Sequence, residues 1–143
     1  MTDHWYGKPM SEDDAVEFLN DRGTGVLCLA AERRAYGVPV AFAYDSGSDR
    51  VLFDLGFAAE SKKRSFIERT DEVCLTVYEH SSPHEWRSVV VTGPLEGLAE
   101  DDVDEELESW FYTVAGDVDV EETDLELQWY ELRADDVSGR YLG

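Results

Sequence analysis

Trp86-Arg87-Ser88-Val89-Val90-Val91-Thr92-Gly93-Pro94 decides the class of fold. Val and Thr branch at Cβ, which crowds a helix but suits a pleated, half-buried surface, so Trp86 to Thr92 reads as the most strand-like segment of the chain. Gly93-Pro94 ends it, because a proline has no N–H for a sheet ladder and marks a bulge or a strand end. A shorter strand follows over Leu95 to Leu98. Working back, Ser81-Ser82-Pro83 breaks the chain after a further strand, Val73 to Tyr78. Earlier still, Val26 to Ala30, Val38 to Tyr44 and Val51 to Leu55 are apolar runs. They are divided by Glu32-Arg33-Arg34 and by Asp45-Ser46-Gly47-Ser48-Asp49. Three antiparallel strands in a meander are the simplest reading. Leu125, Leu127 and Trp129 alternate near the end and indicate a last strand.

Helices occupy the remainder. Ser11 followed by Glu12-Asp13-Asp14 has the form of an N-cap with an acidic first turn, and Ala15, Phe18 and Leu19 trace one apolar face before Gly23. Glu60 to Arg69 lacks Gly and Pro and carries Phe66 and Ile67. Val103, Leu107, Trp110, Phe111 and Val114 mark one face of a third helix, whose other face is acidic. Core packing or dimer contact is the first expectation for Trp110, Phe111, Trp129 and Tyr130. No repeat or long linker divides the chain, so one domain over residues 1–143 is expected. Its class is mainly β within α+β: a small barrel or curled sheet of six to seven antiparallel strands, with two to three helices outside.

The chain of 143 residues carries 33 Asp and Glu against 12 Lys and Arg, a net charge of −21. Such a surface repels phosphate backbones and anionic lipid, since binding them requires clustered cations. Nucleic acid and membranes are therefore not expected partners. The acids are spread along the chain rather than gathered in one tail, as in proteins of saturated brines, where a Debye length of about 3 Å in molar salt screens self-repulsion. The N-terminus has neither a basic region nor an apolar run, so a cytoplasmic location is expected. Cys28 and Cys74, each within an apolar strand, read as reduced core thiols rather than a disulfide framework.

Positive charge is concentrated in one place. Lys62, Lys63, Arg64 and Arg69 fall within Ser61 to Thr70, whereas no Lys or Arg lies between Arg87 and Arg133. A helix start offers free N–H groups and the positive end of the peptide dipoles, so Ser61, Lys62 and Lys63 there can form a phosphate site. The competing reading pairs these cations with Glu60, Glu68, Asp71 and Glu72 on a solvated face.

Several segments in order carry a family resemblance. Val38-Pro39-Val40-Ala41-Phe42-Ala43-Tyr44, Arg50-Val51-Leu52-Phe53, Ser61-Lys62-Lys63, Val73-Cys74-Leu75-Thr76-Val77 and Trp86-Arg87-Ser88-Val89-Val90-Val91-Thr92-Gly93 together resemble the pyridoxamine 5′-phosphate oxidase-like flavin-binding family. The resemblance implies a split β-barrel that forms a homodimer and holds FMN at the subunit interface. It implies that Lys63, with Lys62 and Ser61 beside it, holds the phosphate. Pro39, Val40, Ala41 and Phe42 would run along the isoalloxazine ring and offer backbone groups to its polar edge. Asp54 and Leu55 would line the cofactor, without the usual hydroxyl or amide. Trp86, Arg87 and Ser88 lie on the strand that supplies further flavin contacts, often across the dimer.

The family's vitamin-oxidising members carry an arginine where this chain has Gly37, together with a C-terminal substrate-binding segment not found after Asp135. Oxidation of vitamin B6 is therefore not expected. A flavin-dependent oxidoreductase of unassigned small-molecule substrate is the leading reading. A flavin-storing or sensing module is the second, and deazaflavin or haem binding in the same barrel are further ones. His80 and His84 have metal-ligand spacing for a helix, but Pro83 between them opposes one, so no metal is expected. Neither a phosphate-binding glycine loop nor a nucleophile elbow is found. If screening governs the stability of this acidic chain, its unfolding temperature rises steeply as KCl goes from dilute to molar; a midpoint indifferent to salt contradicts that reading.

Overall fold

The computed structural model describes residues 6–57, 62–115 and 126–143, without the side chains of residues 62, 63, 100, 115 and 126. In chain order the elements are β1 (Lys8–Pro9), α1 (Glu12–Asn20), β2 (Thr24–Ala31), β3 (Arg34–Ala41), β4 (Ala43–Asp45), β5 (Arg50–Phe57), α2 (Lys62–Arg69), β6 (Val73–Ser82) and β7 (Glu85–Gly93). Then come β8 (Leu95–Leu98), a 3₁₀ turn (Glu100–Asp102), α3 (Glu105–Ala115), β9 (Glu126–Arg133) and β10 (Asp136–Leu142). One sheet has the order β1-β10-β7-β6-β2-β3 and the other β4-β5-β9-β8. Every pairing is antiparallel. This is the split barrel, with more strands than the six to seven expected, and most of the expected ones run longer than their sequence signals.

Most of the difference lies where the chain changes sheets. Val38 to Tyr44 is one apolar run in sequence, but Phe42 interrupts it: β3 pairs with β2, and β4 pairs with β5 in the other sheet. The expected meander is therefore broken after its second strand. Phe42 is fully buried, and its N–H donates to Gly23 O at 2.9 Å, so the corner costs no unpaired donor. The second corner is Gly93-Pro94, between β7 and β8, where proline was expected to end a strand. The third is Ala134-Asp135, between β9 and β10. These last two corners touch: Arg133 N–H donates to Pro94 O at 3.1 Å, and a Cβ on Gly93 would stand 1.9 Å from Arg133 O. β10 was not anticipated, since Asp136, Ser138 and Arg140 dilute its pattern.

The barrel interior is filled from all sides. Leu27, Val51, Phe53, Leu75, Val89, Val91 and Leu132 are sealed from solvent, with Phe18 and Leu19 of α1 and Phe66 and Ile67 of α2 closing the ends. Ser11 caps α1 as read from sequence, its Oγ accepting from Asp14 N–H at 3.1 Å. The other face of the four-stranded sheet is covered by α3. There Ala43, Leu52 and Phe111 form a second cluster, with Phe111 meeting Trp129 edge-on at 4.9 Å between centroids. Trp129 thus packs under α3 while its neighbours Tyr130 and Leu132 enter the barrel, so β9 is apolar on both faces.

Cys28 and Cys74 are free thiols, but they are not in the core. Leu27, Leu29, Leu75 and Val77 take the inward positions, leaving both cysteines half-buried on the outer face of the six-stranded sheet. The barrel corner supplies a test. Gly93→Ala should destabilise the protein by about 3 kcal/mol or more, because the obstructing atom is backbone. Gly37→Ala, whose Cβ would meet Val26 at 3.5 Å, should change little; chemical denaturation of the two variants checks the contrast.

Candidate functional site

β3 is an edge strand, so every second N–H and C=O of residues 34–41 points away from β2. That explains why Pro39 is tolerated: at an edge its missing N–H removes no ladder bond. Pro39 is exposed and Ala41 half-buried on the outer face, whereas the side chains of Val40 and Phe42 turn into the barrel. Any ligand along β3 would therefore meet backbone and two small side chains. Phe42 offers it no N–H, since Gly23 O already takes that proton.

α2 packs against β2 and β3, and β3 also meets β5. Phe66 stacks on Tyr36 of β3 at 5.3 Å between centroids, and Ile67 is buried. This packing sets the first turn of α2, which begins at Lys62, beside the β3 layer. Ser61 lies outside the described residues, as do the side chains of Lys62 and Lys63. Arg64 lies over the Phe57 ring at 4.7 Å, and Arg69 pairs with Glu32 at 2.9 Å. Glu32, not the nearer acids considered from sequence, is the partner of Arg69.

Two expected cofactor-lining residues are turned elsewhere. Leu55 is buried in the barrel, so its side chain cannot line a surface groove. Asp54 alternates to the opposite face, under α3, where Tyr112 donates its hydroxyl to Asp54 Oδ2 at 2.5 Å. Oδ1 is buried with no hydrogen-bond partner. Burial pushes the Asp54 carboxyl above its ordinary value; the Tyr112 hydroxyl works against that shift and nearby Glu108 adds to it. The Tyr112 contact was not legible in sequence, because Tyr112 follows Trp110 and Phe111 in one helical run and nothing marks which of them reaches β5.

The residues of β7 separate as well. Arg87 points toward α1, donating to Glu79 at 3.3 Å and lying 5.0 Å from the Phe18 ring centroid. Arg22 stacks on the same ring at 4.9 Å and also pairs with Glu79. Two guanidiniums thus share one aromatic ring and one carboxylate, which gives Arg87 a structural occupation. Trp86 packs its ring against Gly7, whose φ of 76° only glycine adopts readily, so Trp86 pins the N-terminal segment. Ser88 faces outward between Tyr78 and Arg140 in the register, and Tyr78 is 66% exposed. With β2 and β6 between them, β3 and β7 are about 14 Å apart. One protomer therefore brings β3, β5 and the start of α2 together, but not β7.

His80 and His84 are exposed at the β6–β7 hairpin, where no helix forms. Among the described residues no cluster of metal-ligating side chains exists, and no helix is long and apolar enough to cross a membrane.

Split barrels of two antiparallel sheets with peripheral helices define the class to which this chain conforms. The sequence profile of the pyridoxamine 5′-phosphate oxidase family matches residues 11–141, and the chain belongs to that family. Among solved structures, it is similar to an FAD-binding protein from Mesorhizobium loti, with TM-score 0.71, 21% identity, and coverage of 95% of this chain and 98% of that one. It is similar to the FAD-binding protein of Mycobacterium smegmatis, with TM-score 0.66, 17% identity and coverage of 94% and 98%. A flavocytochrome from Azotobacter vinelandii matches with TM-score 0.66, 17% identity and coverage of 100% and 72%. At these identities the likeness is one of fold. The curated proteins contain no match.

The raised Asp54 carboxyl has a consequence for stability. A folded value above the unfolded one means the native state holds this proton more tightly, so its contribution is present in acid and is lost as pH rises through the raised value. Asp54→Asn keeps an acceptor for Tyr112 and removes the titration. Relative to the parent, the variant should gain stability as pH rises from below 3.8, the ordinary value, toward neutrality; parallel stability curves would contradict this assignment.

Proposed function

We propose that the chain is a homodimeric, cytoplasmic, FMN-binding oxidoreductase acting on a small molecule, adapted to high salt and built as one domain. The observation that carries the reading is the junction of the edge strand β3 with the start of α2, where two of the chain's three lysines stand. Family membership and the likeness in fold to proteins named for FAD binding support a flavin. The choice of FMN rests on Ser61, Lys62 and Lys63, which suit a terminal phosphate approaching a chain of charge −21.

In this reading Lys63 and Lys62 hold the phosphate, and Ser61 adds a hydroxyl. The outward backbone groups of Pro39 to Ala41 orient the polar edge of the ring, and their small side chains let it lie close. Bound flavin supplies the electron chemistry itself. Ser88, too far from β3 in its own protomer, would serve the partner's site, which is why two copies are needed. Trp86 and Arg87 are left supporting that strand.

A binding module without turnover is the second reading. It is favoured by Asp54, the one acid expected at the site, being turned to Tyr112 under α3.

Titration of FMN in molar KCl, followed by flavin fluorescence, tests the site. Lys63→Ala should weaken binding about ten- to a hundredfold, the worth of a charge-assisted contact of about 1.5–3 kcal/mol, while Lys8→Ala should leave it near the parent value. Equal losses would mean general charge rather than a site. Light scattering should give a dimer. Reduction of bound flavin by NADPH separates the oxidoreductase from the module that only binds.

A further inference from the structure

The two cysteines are far apart in sequence but face each other in the sheet. β2 and β6 pair with Val26 opposite Thr76, Leu27 opposite Leu75 and Cys28 opposite Cys74. Directly opposed residues of antiparallel strands have Cα atoms about 4.5–5.5 Å apart, inside the Cα separation that a disulfide spans. Both side chains are on the outer face, because their neighbours Leu27 and Leu75 are sealed in the core. The sulfurs also lean the same way. Cys28 Sγ lies 3.9 Å from Val26 O, and Cys74 Sγ lies 3.8 Å from Thr76 Oγ1, with Val26 and Thr76 themselves opposed. The thiols therefore stand side by side. The Cys28 thiol is pushed above its ordinary value by burial first and by neighbouring Cys74 next.

The next positions in the row leave the pair approachable. Gly37 of β3 is opposite Cys28, and Thr92 of β7 is opposite Cys74. Gly37 has no side chain to cover Cys28, and both thiols are half-buried rather than enclosed.

We propose that Cys28 and Cys74 form a cross-strand disulfide, reversed by small thiols, a modification site that joins β2 to β6 when the protein meets hydrogen peroxide. In the first step one sulfur attacks the peroxide, the O–O bond breaks, and a sulfenic acid and water form, the sulfur being oxidised and the peroxide reduced. In the second, the opposing thiol attacks that sulfur, an S–S bond forms, the S–O bond breaks, and hydroxide leaves with the thiol proton as water. One peroxide thus consumes two thiols and yields two waters. The pair lies on the same outer face as Pro39, Ala41 and Ser88, but its test reads thiols and mass rather than flavin, so its failure is distinguishable from failure of the flavin reading.

The test uses the full-length protein in molar KCl, treated with hydrogen peroxide and analysed by mass spectrometry and thiol titration. The expected result is loss of both free thiols with a mass decrease of two hydrogens, a peptide linking Cys28 to Cys74, and complete reversal by dithiothreitol. The oxidised protein should unfold at a higher temperature than the reduced one, since the link closes a long loop of the unfolded chain. Cys28→Ser and Cys74→Ser should each abolish the linked peptide while retaining the parent's circular dichroism. Thiols that stay titratable, sulfinic acid without a link, or a bond only between chains would overturn the proposal.

Discussion

Scarcity of positive charge is the constraint from which the rest of this molecule follows. With 33 acids against 12 Lys and Arg, each cation matters, and most of the described arginines hold distant segments together. Arg50 joins Asp45 at 3.3 Å to Glu131 of β9 at 2.9 Å, Arg133 reaches Glu96 of β8 at 3.4 Å, and Arg140 donates to the backbone oxygens of Tyr6 and Gly7. Arg22 and Arg87 share Glu79 and the Phe18 ring. These contacts are partly exposed, so each contributes modestly in water. Their arrangement nonetheless shows guanidiniums placed where strands from different parts of the chain must meet. Lysine is rarer still, and two of three occur in succession at the start of α2.

The fold makes that placement meaningful. A barrel built by switching sheets at Phe42, at Gly93-Pro94 and at Ala134-Asp135 leaves β3 as an unpaired edge, and α2 packs beside it through Phe66 and Ile67. Edge strands ordinarily need protection from pairing with another chain. Here Pro39 blunts the edge while the outward backbone groups stay available, so one feature serves both solubility and the binding role assigned to this strand.

Local signals in the sequence were legible wherever a single residue carries its own physics. Ser11 caps its helix, Pro94 ends its strand, and the apolar stripe Leu107, Trp110, Phe111 and Val114 packs as one face. What was not legible depends on long-range pairing. Val38 to Tyr44 hides a change of sheet, because Phe42 is as apolar as its neighbours. β10 hides among polar residues. The strand expected from Leu125 begins, within the described residues, at Glu126, and its two buried faces defeat a simple alternation. The site shows the same division. The small edge strand and the basic helix start could be read locally, whereas the diversion of Asp54 to Tyr112, of Arg87 to Phe18 and the facing of Cys28 and Cys74 required the register.

The central claim is that a phosphate-bearing flavin occupies the junction of β3 and α2. Heat release and mass identification of the small molecule that co-purifies with the protein from its native host tests this most directly. FMN recovered at one molecule per chain is the predicted result; a preparation free of flavin, or one carrying only FAD or a deazaflavin, would contradict it.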